Sequence, residues 1–167
     1  MTESASSKDQ RPYERFTLKM AVELAAPHTW PASILPVLVA TSCAVVHSPA
    51  LDILMVCALL AICILMQASV NTFNDYYDFV KGADSEEDNV DVTDAVLVYN
   101  HINPASALRL AVGLLVAAFA IGVYVIYCAG WISLVLGIIG AVIVIAYSAG
   151  KTPISYLPIG EVVSGFV

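Results

Sequence analysis

Four long apolar blocks constrain this chain more than any other feature. They run from about Pro31 to His47, Leu51 to Val70, Ala105 to Cys128 and Trp131 to Ala149. Roughly 20 consecutive, mostly apolar residues cross about 30 Å of hydrocarbon as a helix. Asp52 is the single charge in the second block, and the fourth block has none. The first block has a second candidate start near Met20, and a fifth apolar stretch begins near Val162 and reaches Val167. The expected fold class is therefore all-α: a polytopic transmembrane helix bundle of about four complete spans plus the start of a fifth. On this expectation the chain is the first part of a longer membrane protein. Residues 1–19 form a flexible cytoplasmic tail, and residues 20–167 belong to the membrane domain.

Composition removes other classes. Hydrophobic residues make up 59% and charged ones 13%, against about 45–50% and about 25% in soluble domains. A disordered chain and a coiled coil are excluded. A net charge of −7 repels phosphate backbones, so no nucleic-acid partner is expected. Cys43, Cys57, Cys63 and Cys128 all lie in apolar runs without a C-x-x-C pair, which indicates neither a zinc site nor a disulfide framework. Gly113, Gly122, Gly130, Gly137 and Gly140 are expected to permit close helix packing.

Positive charge fixes the expected orientation. Lys8, Arg11, Arg15 and Lys19 precede the first span, Lys81 and Arg109 bracket the link between the second and third, and Lys151 follows the fourth. With the N-terminus inside, all seven fall on the cytoplasmic side, as the positive-inside rule requires. The expected location is the cell membrane, with the N-terminus and the acidic link in the cytoplasm.

That link carries the chemistry. Eight of the fourteen acidic residues lie between Asp75 and Asp94. No Pro or Gly intervenes between the second apolar block and Gly82, so the helix is expected to continue to that residue. Gln67, Asn71, Asn74, Asp75 and Asp78 are then spaced i, i+4, i+7, i+8 and i+11, within roughly 100° of arc on one helix face. Ionisable residues at membrane depth usually face a cavity and carry function. Two carboxylates three residues apart beside carboxamides suit Mg²⁺, which keeps waters and bridges one or two carboxylates to substrate phosphates. Gly82 ends the helix and frees Asp84 to fold back toward the stripe. The later acids form a solvated loop without the glycine that an EF-hand requires.

The segment NDYYDFVKGAD resembles the first aspartate-rich motif of the UbiA superfamily of intramembrane aromatic prenyltransferases. Asn74, Asp75 and Asp78 match the motif, and Asp84 has a spacing that resembles the MenA-like branch, which prenylates dihydroxynaphthoate. Pro27 to Leu38 and Tyr147 to Lys151 resemble that branch's first-helix and fourth-helix signatures, although Ala26 stands where an arginine is usual. The resemblance implies a nine-span enzyme of quinone (menaquinone) biosynthesis with a second aspartate-rich motif in its other half. It implies transfer of a polyprenyl group from its diphosphate to an aromatic acceptor, with Mg²⁺ as cofactor and a lipid bilayer around it. Asn71, Asn74, Asp75, Asp78 and Asp84 would hold metal, and the first two would also meet diphosphate. Asp75, Asp78, Lys151 and Tyr147 would serve catalysis, Lys151 against the diphosphate and Tyr147 beside the carbocation. Lys81 and Arg109 would touch phosphate, and His28 the acceptor. The competing readings are a fragment of a cation-coupled transporter, with the stripe binding the travelling ion, and a non-catalytic membrane subunit docking a basic partner.

Overall fold

In a computed structural model, residues 12–47, 50–82 and 96–148 are described, the side chains of 144–148 excepted. The described residues form six α-helices. These are α1 (Leu18–Leu24), α2 (Pro31–His47), α3 (Ile53–Lys81), α4 (Val96–Tyr99), α5 (Pro104–Ala129) and α6 (Trp131–Ser148), with one 3-10 turn, Pro27–Thr29, between α1 and α2. Apolar helices occupy all four expected positions. Among the described residues, α3 and α5 are long and apolar enough to cross a membrane. The pair Leu18–Thr29 and Pro31–His47 passes as one span bent by 55°, and Trp131–Ile143 is a shorter apolar stretch. This is a polytopic helical membrane protein. The expected fifth stretch at Val162 lies outside the described residues.

Local chemistry sets the ends of the long helices. Asp52 is not inside the second span, as its place in the apolar block suggested. It is the N-cap of α3, where its Oδ1 accepts from the Met55 N–H at 3.1 Å. A cap carboxylate satisfies a backbone donor that the first helical turn leaves unpaired. At the other end Gly82 adopts φ 70°, ψ 26°, and its N–H reaches back to the carbonyls of Asp78 and Phe79. This left-handed residue, cheap for glycine, stops α3 where the sequence expects it to stop. Asn103 caps α5 through Ala105 N–H at 2.9 Å, with Pro104 at the first helical position. Gly130, at φ 86° and ψ −175°, turns the chain directly from α5 into α6.

α3 is the axis of the bundle and packs chiefly along α5. Along this contact Phe73 of α3 and Ala111 of α5 are buried together, with Met66, Val70, Tyr77 and Leu108 around them, and Ser69 is buried beside them. Ser69 Oγ donates across it to the Ala111 carbonyl at 2.9 Å. Small side chains let two backbones approach, which is what drives helix association where lipid is as apolar as leucine. The glycines do not form this contact. A methyl group added at Gly113, Gly122 or Gly137 would meet nothing within 4 Å, and only Gly140 has a close neighbour, Met66 Cε at 3.3 Å. Among the described residues the five glycines therefore do not act together as packing contacts.

At the end of the bundle where α3 finishes, a second cluster assembles. Met20 and Leu24 of α1, Val96 and Leu97 of α4, and Ile102 and Ala107 pack together, with Phe16, Tyr76, Phe79 and Leu110 around them. The start of α1, the end of α3 and the start of α5 thus share one end, so Lys19, Lys81 and Arg109 do as well. Elsewhere an apolar groove of about 490 Å³ lies between α3, α5 and α6, lined by Met66, Phe119 and Leu136 among others.

Candidate functional site

The first span is broken, and the break builds the site. α1 ends at Leu24, and Ala26 takes the left-handed conformation at φ 45°, ψ 66°. Pro27 and Pro31 flank the turn that follows, and neither can donate a backbone hydrogen bond to the preceding helix. The left-handed turn at Ala26 also redirects the Thr29 N–H to the Ala26 carbonyl at 3.0 Å, so the carbonyls of Leu24 and Ala25 lack their helical donors. Buried backbone carbonyls need other partners, and α3 supplies them. The Thr72 hydroxyl shares its one proton between the Ala68 carbonyl of its own helix at 2.8 Å and the Leu24 carbonyl at 3.2 Å, and Asn71 Nδ2 donates to the Ala25 carbonyl at 3.1 Å. Trp30 Nε1 adds a second bond to Ala25 at 2.9 Å.

Side chains extend this clasp into the span. Asn71 Nδ2 also donates to Thr29 Oγ1 at 2.8 Å, while that hydroxyl donates to the Ala26 carbonyl at 2.9 Å. Gln67, one helical turn deeper, accepts from Ser33 Oγ at 2.8 Å and reaches Thr29 Oγ1 and Asn71 Oδ1 at 3.4 Å each. A polar ladder inside a span is stable only when its members satisfy one another, and this one does.

Beside the clasp, α1, the 3-10 turn and α3 enclose a cleft of about 210 Å³, lined by Glu23, Leu24, Ala26, His28, Thr29, Asn71, Asn74, Asp75 and Asp78. The structure thus brings together five of the residues expected to form the site: His28, Asn71, Asn74, Asp75 and Asp78. Asp75 is only 8% exposed. The polar and charged lining of the cleft suits a small solvated ionic group. Its depth follows from the length of α3. Some 20 residues cover the hydrocarbon, so a span starting at Ile53 leaves it near Thr72, and Asn74 to Asp78 stand roughly 3–9 Å beyond.

Other expected site residues fall elsewhere. Lys81 lies over the Tyr77 ring, 5.5 Å from its centroid, outside the cleft lining. Arg109 is exposed and folds onto its own helix, with Nε on the Ala105 carbonyl at 3.0 Å and Nη2 on Ser106 Oγ at 3.2 Å. Both were expected to touch phosphate; neither is among the residues that line the cleft. Asp84, Lys151 and the Tyr147 side chain lie outside the described residues. Two contributors escaped the sequence reading. Glu23 adds a third carboxylate to the lining and pairs with Lys19 Nζ at 3.5 Å. Thr29 holds the Asn71 amide. The paired prolines at 27 and 31 are the signal that could have exposed both, because they mark a break whose freed carbonyls need partners.

The donor chemistry of the cleft fits a hard cation. Glu23, Asn71, Asn74, Asp75 and Asp78 all offer oxygen. Among the described residues no three His, Cys, Asp or Glu side chains gather closely enough to enclose a metal ion. A cation held here would be gripped by one or two carboxylates, with its other positions left to water or a substrate oxygen, as is usual for Mg²⁺.

Fold and site together define a helical integral membrane protein with an oxygen-lined anionic cleft at one end of its longest span. The profile of the UbiA prenyltransferase family matches residues 33–167, and the chain belongs to that family. It is similar to the 1,4-dihydroxy-2-naphthoate octaprenyltransferase of Bacillus subtilis (strain 168), at 36% identity over 143 residues. That match covers 86% of this chain and 45% of the relative, so the chain spans about half the length of the curated protein it resembles. No solved structure matches the chain.

Proposed function

We propose that the protein transfers a polyprenyl group from its diphosphate to an aromatic acceptor of the dihydroxynaphthoate type. The observation that carries this reading is the convergence of Asn74, Asp75 and Asp78 with Asn71 and His28 on one cleft at the hydrocarbon edge. A substrate with an anionic head and a hydrocarbon tail has its two ends at that same boundary. Family membership and the octaprenyltransferase relative favour this reading over a transporter or a docking subunit. Because the chain spans about half of that relative, the reaction is proposed for the full-length protein, including the second half expected from the family.

Asp75, Asp78 and Asn74 would hold Mg²⁺, with Asn71 presenting its amide oxygen. Bound there, the cation supplies positive charge that offsets the carboxylates and the departing diphosphate. Unassisted, the carboxylates repel a diphosphate, which supports a metal cradle as the role of the anionic lining. His28, exposed and part of the cleft lining, is proposed to contact the acceptor. Asp84 and Lys151 are proposed as further metal and diphosphate contacts and Tyr147 as a carbocation neighbour. The shared end of Lys19, Lys81 and Arg109 supports a cytoplasmic cleft.

The test is prenyl transfer by the full-length protein in lipid, with labelled prenyl diphosphate and dihydroxynaphthoate. Product should form with Mg²⁺ and vanish in chelator. Asp75→Asn and Asp78→Asn should each lower turnover by at least about 100-fold, the upper range for loss of a group supporting a metal, with helix content unchanged. Full activity of both variants would reject the metal role.

A further inference from the structure

We infer that Glu23 is an acceptor-binding residue: its carboxylate accepts a hydrogen bond from a ring hydroxyl of the aromatic acceptor. The inference rests on the prenyl-transfer reading above. The cleft has walls of different origin. Asn74, Asp75 and Asp78 come from α3, whereas Glu23 comes from α1 and His28 from the turn that follows it. Among the described residues no three His, Cys, Asp or Glu side chains could hold one metal ion together. With Asp75 and Asp78 assigned to a single cation, neither Glu23 nor His28 is in reach to join them. The lining therefore has two poles, one for the cation and its diphosphate and one on the first span.

What the second pole takes follows from its charge. A diphosphate is repelled by a carboxylate that has no cation to bridge it. The acceptor's own carboxylate is repelled as well, so the acceptor must turn a hydroxyl edge to Glu23. A carboxylate accepts such O–H groups in strong, charge-assisted bonds. Glu23 has capacity for one. Lys19 Nζ meets its Oε1 at 3.5 Å, beyond the about 2.7–2.9 Å of a tight ammonium–carboxylate bond, and a carboxylate has about four lone-pair sites. The Lys19 side chain is 84% exposed, so its pair with Glu23 is a solvated one that adds little to the fold. A side chain that neither braces the fold nor joins the cation site, yet lines the same cleft as His28, is placed to select the acceptor.

The experiment measures initial rates of the full-length protein in lipid with prenyl diphosphate, Mg²⁺ and either dihydroxynaphthoate or one of its two monomethyl ethers. Glu23→Ala should lower kcat/KM for dihydroxynaphthoate about tenfold, the low end for a hydrogen bond to a charged group, and leave KM for the prenyl diphosphate unchanged. In the wild type one of the two ethers should lose a similar factor, because its methyl group blocks the bonded hydroxyl. Glu23→Ala should not distinguish that ether from the parent acceptor. Glu23→Gln, which keeps an accepting oxygen, should recover most of the activity. Lys19→Ala should change kcat/KM by less than about fivefold, as for an exposed pair. Wild-type kcat/KM in Glu23→Ala, an equal loss in Lys19→Ala, or a raised KM for the prenyl diphosphate would overturn the assignment. So would a wild type that uses both ethers as well as the parent, a result that needs no variant to fold. A full-length wild type that makes no prenylated product would instead remove the prenyl-transfer reading, and this inference with it.

Discussion

Replacing Ala26 by glycine should stabilise the protein, although glycine usually weakens a helical segment. Ala26 sits at φ 45°, ψ 66°, with Ala25 before it at φ −72°, ψ −12°. A residue with a Cβ in the left-handed region is disfavoured by about 1–2 kcal/mol. Glycine escapes that strain, and its extra freedom in the unfolded chain costs about 0.5–1 kcal/mol. At the midpoints of these ranges the difference favours Ala26→Gly by about 0.75 kcal/mol. The same change one residue earlier has the opposite sign. Ala25 is in the right-handed region and buried at 8% exposure, so Ala25→Gly removes no strain. It incurs the entropy term and loses a buried methyl of about 0.8 kcal/mol. Thermal unfolding of both variants in one detergent is the assay. At about 2–4 °C per kcal/mol for a chain of this size, Ala26→Gly should rise by about 1.5–3 °C while Ala25→Gly falls. Equal losses in both would refute the reasoning, because they would mean that Ala26 does not occupy the left-handed conformation and the first span is not broken there.

Arg109→Ala should change turnover by less than about fivefold, the value of about 1 kcal/mol expected for an exposed charge outside the site, as read from initial rates at saturating substrate. Ala111→Leu should cost about 1–3 kcal/mol by overpacking the α3–α5 contact, whereas Gly113→Ala, with open space around it, should gain up to about 1 kcal/mol of helix propensity. Thermal unfolding separates the two, and a reversed order would contradict the burial of Ala111 against α3. Gly130→Ala should destabilise by about 1–3 kcal/mol, since its backbone angles belong to a region that is essentially glycine-only; an unchanged melting temperature would argue against the one-residue turn between α5 and α6.

The legible parts of this molecule are those that one helix can display alone. The stripe from Asn71 to Asp78 follows from residue spacing on α3, and the stop at Gly82 follows from its missing Cβ. What escaped the sequence depends on elements meeting in space. Ala26 is an unremarkable residue type for a left-handed position, and its conformation makes sense only once Asn71 and Thr72 take up the freed carbonyls. Asn71 read as a ligand alone; its nitrogen turns out to brace a segment more than 40 residues earlier. Glu23 carried no signal of its own in the sequence, but α1 packed against α3 brings it to the cleft. Glycines suggested close packing because they are small, and Ala111, which is buried against α3, is less conspicuous in a chain so rich in apolar residues.

The 29 residues of α3 amount to a rigid rod about 44 Å long, against about 30 Å of hydrocarbon. Its capped beginning at Asp52 and its polar end cannot both be submerged. The rod therefore acts as a depth gauge: anchoring one tip at the far surface sets the height of the acids above the near one. A sheet of lipid some 5 Å thicker would draw Asp75 toward the oily layer unless the rod straightened or the lipid thinned around it, each at a modest cost.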